Sequence, residues 1–267
     1  MQDQLILTDT QRSDFETFKH RIMRKTGIDL NLYKPQQMHR RLMGLVERAN
    51  LKTFTEYVNL LEHNTAEMNI FLDRLTINVS ELFRNPEKWD ELRDKILPAL
   101  LHRRRVLRIW SAGCSFGAEP YSLAMLLDHI TPGVRHYIAA SDIDRNILNK
   151  AREGIYSEVD IKNIPQSYRQ KYLTVSGKNY QVSSTLRERI TFKQHNLLSD
   201  QFERDFDLIV CRNVVIYFTD DAKDHLFSRF ASSLMPSGVL FIGGTERIFN
   251  YREIGLNTHL PFFYQKI

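Results

Sequence analysis

A glycine-containing turn after a short apolar segment is the first place in this chain where chemistry is expected. Val106–Trp110 is followed by Ser111-Ala-Gly-Cys-Ser-Phe-Gly-Ala-Glu119. Gly113 and Gly117 permit a tight turn and a close approach of the backbone to a ligand. The turn matches neither G-x-G-x-x-G nor a phosphate-binding loop ending in Gly-Lys-Ser/Thr, so a nucleotide pyrophosphate site is disfavoured. A glycine turn followed by an acid suits a cationic ligand with a purine and a ribose, and an ordinary strand-to-helix loop is an equal alternative.

A second strand end carries acids. The apolar segment Tyr137–Ala140 ends in Ser-Asp-Ile-Asp, so that Asp142 comes directly after the predicted strand. A carboxylate at this place can accept hydrogen bonds from both hydroxyls of a ribose, as an acid does in dinucleotide-binding folds. The alternative is that Asp142 caps the next helix, which is the role that we expect for Asp144.

A third strand end carries a cation and an amide. Leu208–Cys211 is apolar and is followed by Arg212 and Asn213. Because polar groups are costly to bury without a partner, we expect this pair to be hydrogen-bonded or to face a ligand. Tyr217 comes shortly afterwards, and its phenol either reaches a substrate or packs as a core aromatic beside Phe218.

These strand ends belong to an alternation of strands and helices that begins after Arg105. The alternation predicts a mostly parallel, doubly wound α/β sheet, in which ligands bind outside the carboxyl ends of the strands. Between residues 156 and 189 the pattern breaks, and Tyr172–Val175 and Tyr180–Val182 predict a hairpin in a small inserted β-subdomain. The predicted strands of the main sheet are Val106–Trp110, Tyr137–Ala140, Ile190–Lys193, Leu208–Cys211, Val239–Ile242 and Phe262–Gln265.

Residues 1–75 show no strand pattern and are predicted to form an all-helical domain. Apolar residues recur at spacings of three and four, as on one face of a helix. Gly27 stands where the first helix is expected to stop. Thr53 and Glu56 have the spacing of a capping box and predict the start of a later helix.

Residues 76–105 are predicted to join the two halves of the chain. Asn85-Pro86 is a favourable helix start, because asparagine caps helices and proline fits the first helical position. The predicted organisation is therefore a helical domain at 1–75, a linker with a connecting helix at 76–105, and an α/β domain at 106–267.

The composition is that of an ordinary globular protein. The 267 residues are 42% apolar and 26% charged, which excludes long disordered or low-complexity regions. Cys114 and Cys211 form no C-x-x-C pattern and the histidines no H-E-x-x-H pattern, so we expect no metal. The chain has no apolar run long enough for a membrane helix and no signal-peptide pattern, so we expect a soluble, intracellular protein, with a monomer as the default.

Basic residues are concentrated in the first quarter of the chain. From Lys19 to Lys52 there are nine lysines and arginines against Asp29 and Glu47, a local charge of 9 − 2 = +7. The whole chain carries +5, so the remainder carries 5 − 7 = −2. The asymmetry suggests a surface for an acidic partner, and a solvated helix face explains the charge equally well.

The chain resembles the chemotaxis receptor methyltransferases, the CheR family, over most of its length. Five segments occur in the family's order: TINVSELFR from Thr76, SAGCSFGAEPYSLAML from Ser111, ASDID from Ala140, HNLL from His195 and DLIVCRNVVIYF from Asp207. The family uses S-adenosylmethionine to methylate glutamate side chains of membrane chemoreceptors, giving γ-carboxyl methyl esters and S-adenosylhomocysteine. The resemblance implies a Rossmann-like class I methyltransferase domain preceded by an all-α receptor-recognition domain.

By position, the resemblance also implies the residues of the active site. Arg84 is implied to lie close to the reacting sulfonium, and Tyr217 beside the transferred methyl group, so both are predicted to be catalytic. Glu119 matches the acid at the methionine portion, and Asp142 matches the ribose ligand. The implied cofactor-binding residues are Asn78, Ser80, Arg84, Gly113, Glu119, Asp142, Asn196, Leu197, Arg212 and Asn213.

The resemblance further implies a partner for the basic region. Receptor methylation regions are long acidic coiled-coil helices in the cytoplasm, and the residues implied to lie along one of them are Arg40, Arg41, Arg48 and Lys52. Family members that bind a receptor's C-terminal tail do so at the inserted hairpin. We therefore expect a cytoplasmic enzyme that acts on chemoreceptors, without inserting into the membrane and without binding nucleic acid.

Two other classes of function fit part of the pattern. Basic helices joined to a methyltransferase domain also describe an RNA- or DNA-modifying enzyme, although the chain has no N-P-P-Tyr type motif and no cysteine placed to attack cytosine. A binding module that has lost catalysis is supported by Phe116 and Ala118, which stand where relatives usually carry Thr and often carry Glu in the cofactor loop.

Overall fold

The N-terminal part of the chain is helical, as its apolar spacing predicts. The computed structural model describes residues 7–76 and 80–267. The first helices are α1 Asp9–Thr26, α2 Pro35–Arg48, α3 Phe54–His63 and α4 Thr65–Leu75. The Thr53 side chain accepts the Glu56 N–H in the predicted capping box of α3. Gly27 ends α1 with a φ of 74°, in the left-handed region that favours glycine.

Aromatic side chains form the core of these helices. Phe18 of α1 is fully buried, and its ring centre lies 5.2 Å from that of Phe54 and 6.0 Å from that of Phe71. Aromatic pairs at such distances add to the free energy gained by burying their surface. The repeating aromatic and aliphatic residues of 1–75 therefore hold the helices together, as their spacing predicts.

The described part of Met1–Ile77 forms one compact unit together with Tyr217–Lys223, and we call it the helical unit. The later segment is held by backbone hydrogen bonds, because the N–H of Lys34 donates to the carbonyl of Tyr217 at 2.9 Å and that of Thr219 to Leu32 at 2.9 Å. The second unit, Asn78–Ile216 and Asp224–Ile267, is called the sheet unit.

The sheet unit opens with a continuous helical stretch and then alternates strands with helices. The stretch consists of α5 Pro86–Glu91, a wider turn at Leu92–Ile96 and α6 Leu97–Arg103. The later helices are α7 Ala118–Ile130, α8 Arg145–Glu153, α9 Gln166–Tyr172, α10 Ser184–Arg187 and α11 Asp220–Ser233, of which the first residues, up to Lys223, are counted with the helical unit. The strands are β1 Arg108–Ala112, β2 Tyr137–Asp142, β3 Ile155–Tyr156, β4 Leu173–Ser176, β5 Asn179–Val182, β6 Ile190–Gln194, β7 Phe206–Cys211, β8 Leu234–Ile242, β9 Leu256–Leu260 and β10 Phe263–Lys266.

Within the described residues, the main sheet has seven strands in the order β6-β2-β1-β7-β8-β10-β9. The strands from β6 to β8 are parallel, and β10 pairs antiparallel with both β8 and β9. Ile109 of β1 is paired with Ile138 of β2 on one side and Leu208 of β7 on the other. The strand order reverses between β1 and β7, and ligands bind at such a switch point in open α/β sheets. The predicted doubly wound fold is confirmed.

The inserted β-subdomain is also confirmed. In it, β3, β5 and β4 form an antiparallel sheet in that order, with the β4–β5 hairpin at the predicted place. Tyr156 of β3 is buried, and its hydroxyl donates to the carbonyl of Phe116 at 2.9 Å. The subdomain therefore contacts the turn that follows β1.

The strand β9 was not predicted. Its residues Leu256-Asn-Thr-His-Leu260 are mostly polar and largely exposed, because β9 is the edge strand of the main sheet. Only Leu256 of this strand is fully buried. An edge strand with one buried side chain gives little of the apolar signal from which strands are predicted.

Candidate active site

The glycine turn after β1 is hydrogen-bonded to the end of β2. The N–H groups of Gly113 and Cys114 donate to the carbonyl of Ser141 at 2.8 and 2.9 Å. Gly113 and Gly117 have φ values of 78° and 88°, so the predicted need for glycine is confirmed. A Cβ atom on Gly113 would lie 2.5 Å from Cγ2 of Val214, so the close approach at Gly113 is to the turn after β7.

Asp142 lies at the end of β2 and is 8% exposed. Its carboxylate accepts the backbone N–H of Ser115 at 2.8 Å and that of Asp144 at 3.1 Å. Burial raises the pKa of Asp142 to about 6, although these two hydrogen bonds oppose the rise. The helix cap is instead Asp144, whose Oδ1 accepts the N–H groups of Asn146 and Ile147. The capping alternative for Asp142 is therefore wrong, and its remaining acceptor positions suit a pair of hydroxyls.

Glu119 lies in the first turn of α7 and is partly exposed. The hydroxyl of Ser111 donates to its Oε1 at 2.7 Å. Desolvation raises the pKa of Glu119 to about 7, and the positive charges of Arg212 and Arg84 oppose this rise. A desolvated carboxylate in this position gains most when a cation binds beside it.

Arg212 follows β7 and is 8% exposed. Its Nη2 donates to the carbonyl of Arg84 and to Oδ1 of Asn85, both at 2.9 Å. The predicted helix start at Asn85-Pro86 is correct, because α5 begins at Pro86. The expected side-chain cap is wrong, because Asn85 has a left-handed backbone and makes no side-chain hydrogen bond to α5. Its amide oxygen binds Arg212 instead, so this pair holds the turn that carries Arg84 beside the end of β7.

The turn around Arg84 is also held from its N-terminal side. The N–H of Leu82 donates to the carbonyl of Asp160 at 3.0 Å, and the N–H of Phe83 donates to the hydroxyl of Ser122 at 2.9 Å. Ser80, which precedes them, is half-buried. The predicted cofactor residue Asn78 lies outside the described residues.

The turn after β6 lies beside the end of β2. The N–H of His195 donates to the carbonyl of Asp142 at 2.9 Å, which brings Asn196 and Leu197 next to the predicted ribose ligand. Asn196 stabilises its own turn, because its Oδ1 accepts the N–H of Leu198 at 3.0 Å. Leu197 is 7% exposed and offers apolar surface. The predicted cofactor residues from four strand ends therefore share one edge of the sheet.

Tyr217 belongs to the helical unit, where it lies against α2. The guanidinium carbon of Arg41 is 5.3 Å from the centre of the Tyr217 ring. Nη1 of Arg41 donates to the carbonyl of Leu75 at 2.9 Å, and the side chain is half-buried. Arg41 therefore orders the Tyr217 side chain and the end of α4, in addition to its predicted place on the basic surface.

The other predicted receptor-binding residues lie at the surface. Arg40 and Lys52 are exposed. Arg48 is exposed as well and forms an ion pair with Glu67, which also accepts the hydroxyl of Tyr57 at 2.9 Å. The charges that remain most accessible on this face are thus those of Arg40 and Lys52.

The chain matches known families along almost all of its length. The family described as "CheR methyltransferase, SAM binding domain" matches residues 78–259, and "CheR methyltransferase, all-alpha domain" matches residues 13–76. The chain belongs to the CheR family of methyltransferases. It is 42% identical to a chemotaxis protein methyltransferase of Listeria monocytogenes over 255 residues, 95% of this chain and 97% of that one.

More distant CheR relatives show the same agreement. A chemotaxis protein methyltransferase of Borreliella burgdorferi is 37% identical over 254 residues, covering 90% of this chain and 89% of that one. One of Escherichia coli is 35% identical over 260 residues, covering 92% and 87%. The similarity is therefore to whole enzymes, and the cofactor of this CheR protein is S-adenosylmethionine.

The residues at the sheet edge fit that cofactor. Within the described residues, Nε of the buried Arg212 has no hydrogen-bond partner, as expected of a donor that faces a ligand carboxylate. Glu119 suits the ammonium group of the methionine portion, and Asp142 suits the two ribose hydroxyls. When bound, S-adenosylmethionine supplies a methyl group on a positively charged sulfur. In the described part of the chain, no group of three His, Cys, Asp or Glu residues is arranged to hold a metal ion.

One residue at this edge was missed from the sequence. Glu246 follows β8 and is 3% exposed, and its carboxylate accepts four backbone N–H groups from two turns. The signal that identified Asp142 was an acid just after an apolar strand, and the same signal is present in Gly243-Gly-Thr-Glu246 after β8. Applied to every strand end, that rule would have found it.

Proposed function

We propose that this chain transfers methyl groups to glutamate side chains of chemoreceptors and forms γ-carboxyl methyl esters. The observation that carries the proposal is the convergence, in a chain of the CheR family, of Glu119 in the first turn of α7, Asp142 at the end of β2 and Arg212 after β7. The relatives from Listeria monocytogenes and Escherichia coli are chemotaxis protein methyltransferases by name. A glutamate carboxylate as the methyl acceptor agrees with this site and with the names of these relatives.

The proposed reaction makes few demands on the protein. A glutamate side chain has an ordinary pKa near 4.3 and is ionised at neutral pH, so no general base is needed. The protein must hold the carboxylate in line with the methyl group and remove water from both charged partners. These are tasks of position and electrostatics, which agrees with a site built from buried charges.

We assign these tasks to Arg84 and Tyr217. The backbone carbonyl of Arg84 accepts hydrogen bonds from Arg212 at 2.9 Å and from the indole of Trp89 at 3.0 Å, which fixes the residue beside the end of β7. We assign its guanidinium the task of orienting the incoming carboxylate. Tyr217 is ordered by Arg41 and donates a hydrogen bond to one carboxylate oxygen. Orientation is the suitable role for the arginine, because tight binding would make the carboxylate a poorer nucleophile.

The proposed receptor surface is the exposed basic face of α2 and the turn that follows it. Arg40 and Lys52 are exposed and carry positive charge toward solvent, which suits an acidic receptor helix. Changing both to Glu should raise the KM for a receptor signalling domain and leave the affinity for S-adenosylhomocysteine unchanged. A matched change of exposed residues away from α2 and from the inserted hairpin, Lys95 and Arg204 to Glu, should leave the KM unchanged.

The deciding experiment examines the product. The enzyme is incubated with methyl-labelled cofactor and either a receptor signalling domain or RNA. A glutamate methyl ester is hydrolysed by mild alkali and releases its label as methanol. Methyl groups on the nitrogens or carbons of a nucleobase survive the same treatment. Label that appears in RNA alone would refute the proposal in favour of a nucleic-acid enzyme, and label in the receptor that resists mild base would refute the methyl ester. The buried thiol of Cys211 is no candidate for attack on cytosine, because it is fully buried and burial raises its pKa.

A further inference from the structure

The carboxylate of Glu246 joins two turns of the sheet unit. Its Oε1 accepts the N–H groups of Val214 and Val215 at 3.1 and 3.2 Å. Its Oε2 accepts those of Asn213 and Gly243 at 3.1 and 2.6 Å. One side chain therefore satisfies three consecutive donors of the turn after β7 and one donor at the end of β8.

This turn needs such a partner. Asn213 has a φ of 60°, in the left-handed region that non-glycine residues rarely adopt. The N–H groups of residues 213 to 215 point the same way, and donors buried without an acceptor are costly. A carboxylate is the side chain that can accept all of them at once, since both of its oxygens are acceptors.

The turn held by Glu246 borders the proposed cofactor site on two sides. It directly follows Arg212, whose guanidinium holds Arg84 and Asn85. The side chain of Val214 packs against Gly113 so closely that a Cβ on that glycine would lie 2.5 Å from Cγ2 of the valine. A shift of the turn would therefore move both Arg212 and the glycine turn after β1.

The charge of Glu246 also reaches the site. Burial is the main cause of the raised pKa of Glu119, and the negative charge of Glu246 adds to it. Burial likewise raises the pKa of Glu246 itself, and its four backbone hydrogen bonds oppose the rise. Desolvation lowers the pKa of Arg212, and the negative charges of Glu119 and Glu246 both oppose that change by favouring its charged form.

We propose that Glu246 is a positioning residue of the cofactor site, which holds the turn of residues 213–215 so that Arg212 and Val214 are in place for S-adenosylmethionine. This rests on the proposed assignment of the cofactor residues. Glu246 does not touch the cofactor in this proposal, and it acts through the backbone of the turn.

The first test is Glu246→Gln, which keeps the shape of the side chain. Whichever way the amide is turned, its NH₂ replaces an oxygen that accepts two backbone N–H groups, so two donors lose their acceptor. We expect the Kd for S-adenosylhomocysteine, measured by calorimetry, to rise about tenfold or more. The control is Glu253→Gln, the same change at an exposed position of the same connection between β8 and β9, and it should leave the Kd unchanged.

The second test keeps the charge and moves the carboxylate. A Cβ on Gly243 would lie 2.6 Å from Oε2 of Glu246 and 2.9 Å from the backbone nitrogen of Asn213, so Gly243→Ala pushes the two apart. A Cβ on the neighbouring Gly244 would meet nothing closer than 4.0 Å, so Gly244→Ala is a matched control. We expect weaker binding of S-adenosylhomocysteine for the first variant and wild-type affinity for the second.

The outcomes separate positioning from stability alone. Affinities are compared at a temperature where circular dichroism shows each variant fully folded. Folded Glu246→Gln and Gly243→Ala proteins with wild-type affinity would overturn the proposal, even if both melt at a lower temperature. If Glu246→Gln does not fold, the comparison of Gly243→Ala with Gly244→Ala tests the proposal. If the proposed assignment of the cofactor residues is itself wrong, Asp142→Ala will bind S-adenosylhomocysteine with wild-type affinity. That variant leaves Glu246 and its turn untouched, so the two outcomes can be told apart.

Discussion

The raised pKa of Glu119 predicts that this residue weakens the cofactor-free fold. Its pKa moves from 4.5 to about 7, chiefly because the ionised carboxylate is desolvated. Below pH 4.5 the carboxyl group is protonated in the folded and the unfolded chain alike. Between pH 4.5 and about 7 the folded chain keeps a proton that the unfolded chain loses, so the stability of the fold decreases as pH rises. Above that range the full penalty applies.

The size of the effect follows from the shift. One pKa unit corresponds to about 1.4 kcal/mol, so the rise gives an upper limit of about 3 kcal/mol. Glu119 is partly exposed, and water screens part of that penalty. Glu119→Gln keeps an oxygen for the Ser111 hydroxyl and removes the charge. We therefore expect this variant to be more stable than the wild type by about 1–3 kcal/mol above neutral pH.

The assay is urea denaturation without cofactor at about pH 8 and about pH 5. The stability gain of Glu119→Gln should be present at the higher pH and mostly lost at the lower one. Glu253→Gln, the exposed control, should show no gain at either pH. The same Glu119→Gln protein should bind S-adenosylhomocysteine more weakly, because the partner of the ammonium group has lost its charge. A variant that is no more stable at high pH, or whose gain does not depend on pH, would refute this account of Glu119.

Three further predictions concern individual residues. Asp142→Ala should weaken S-adenosylhomocysteine binding by about 1–3 kcal/mol in calorimetry, the cost of leaving hydroxyls unpaired, and unchanged affinity would remove its ribose role. Tyr217→Phe should lower turnover and leave cofactor affinity unchanged, and Arg84→Ala should lower turnover more; receptor methylation at wild-type rates by both would contradict the assignment. Arg41→Gln should lower kcat for receptor methylation because it releases the Tyr217 side chain, whereas Arg40→Gln should change only the KM for receptor. If both variants change only the KM, Arg41 does not order Tyr217 for catalysis.

The features that were predicted correctly are those set by neighbouring residues. The capping box of Thr53 and Glu56, the end of α1 at Gly27 and the cap at Asp144 each depend on a few residues of sequence. The strand ends with Asp142 and Arg212 were found in the same way, because an apolar strand followed by a polar group is a local pattern.

The features that were missed depend on distant parts of the chain. Asn85 has the right sequence for a cap, and Arg212, 127 residues away, binds its amide oxygen instead. Glu246 takes its importance from the turn at residues 213–215, more than 30 residues earlier. Pairings of this kind are decided by the sheet order, which places the ends of β7 and β8 side by side.

The desolvated charges at the sheet edge explain why the missed residues matter. Glu119, Arg212 and Glu246 are all costly to desolvate, since burial disfavours the charged form of each. Arg212 and Glu246 offset that cost by hydrogen bonds to the backbone and to Asn85, whereas the polar partner of Glu119 is a hydroxyl. Glu119 is thus the charge with most to gain from a cationic ligand. Arg212 and Glu246 are stabilised before the cofactor binds, and Glu119 lacks a cationic partner until then. Binding of the cofactor therefore stabilises the site at Glu119, and a shift of the turn after β7 would weaken that binding.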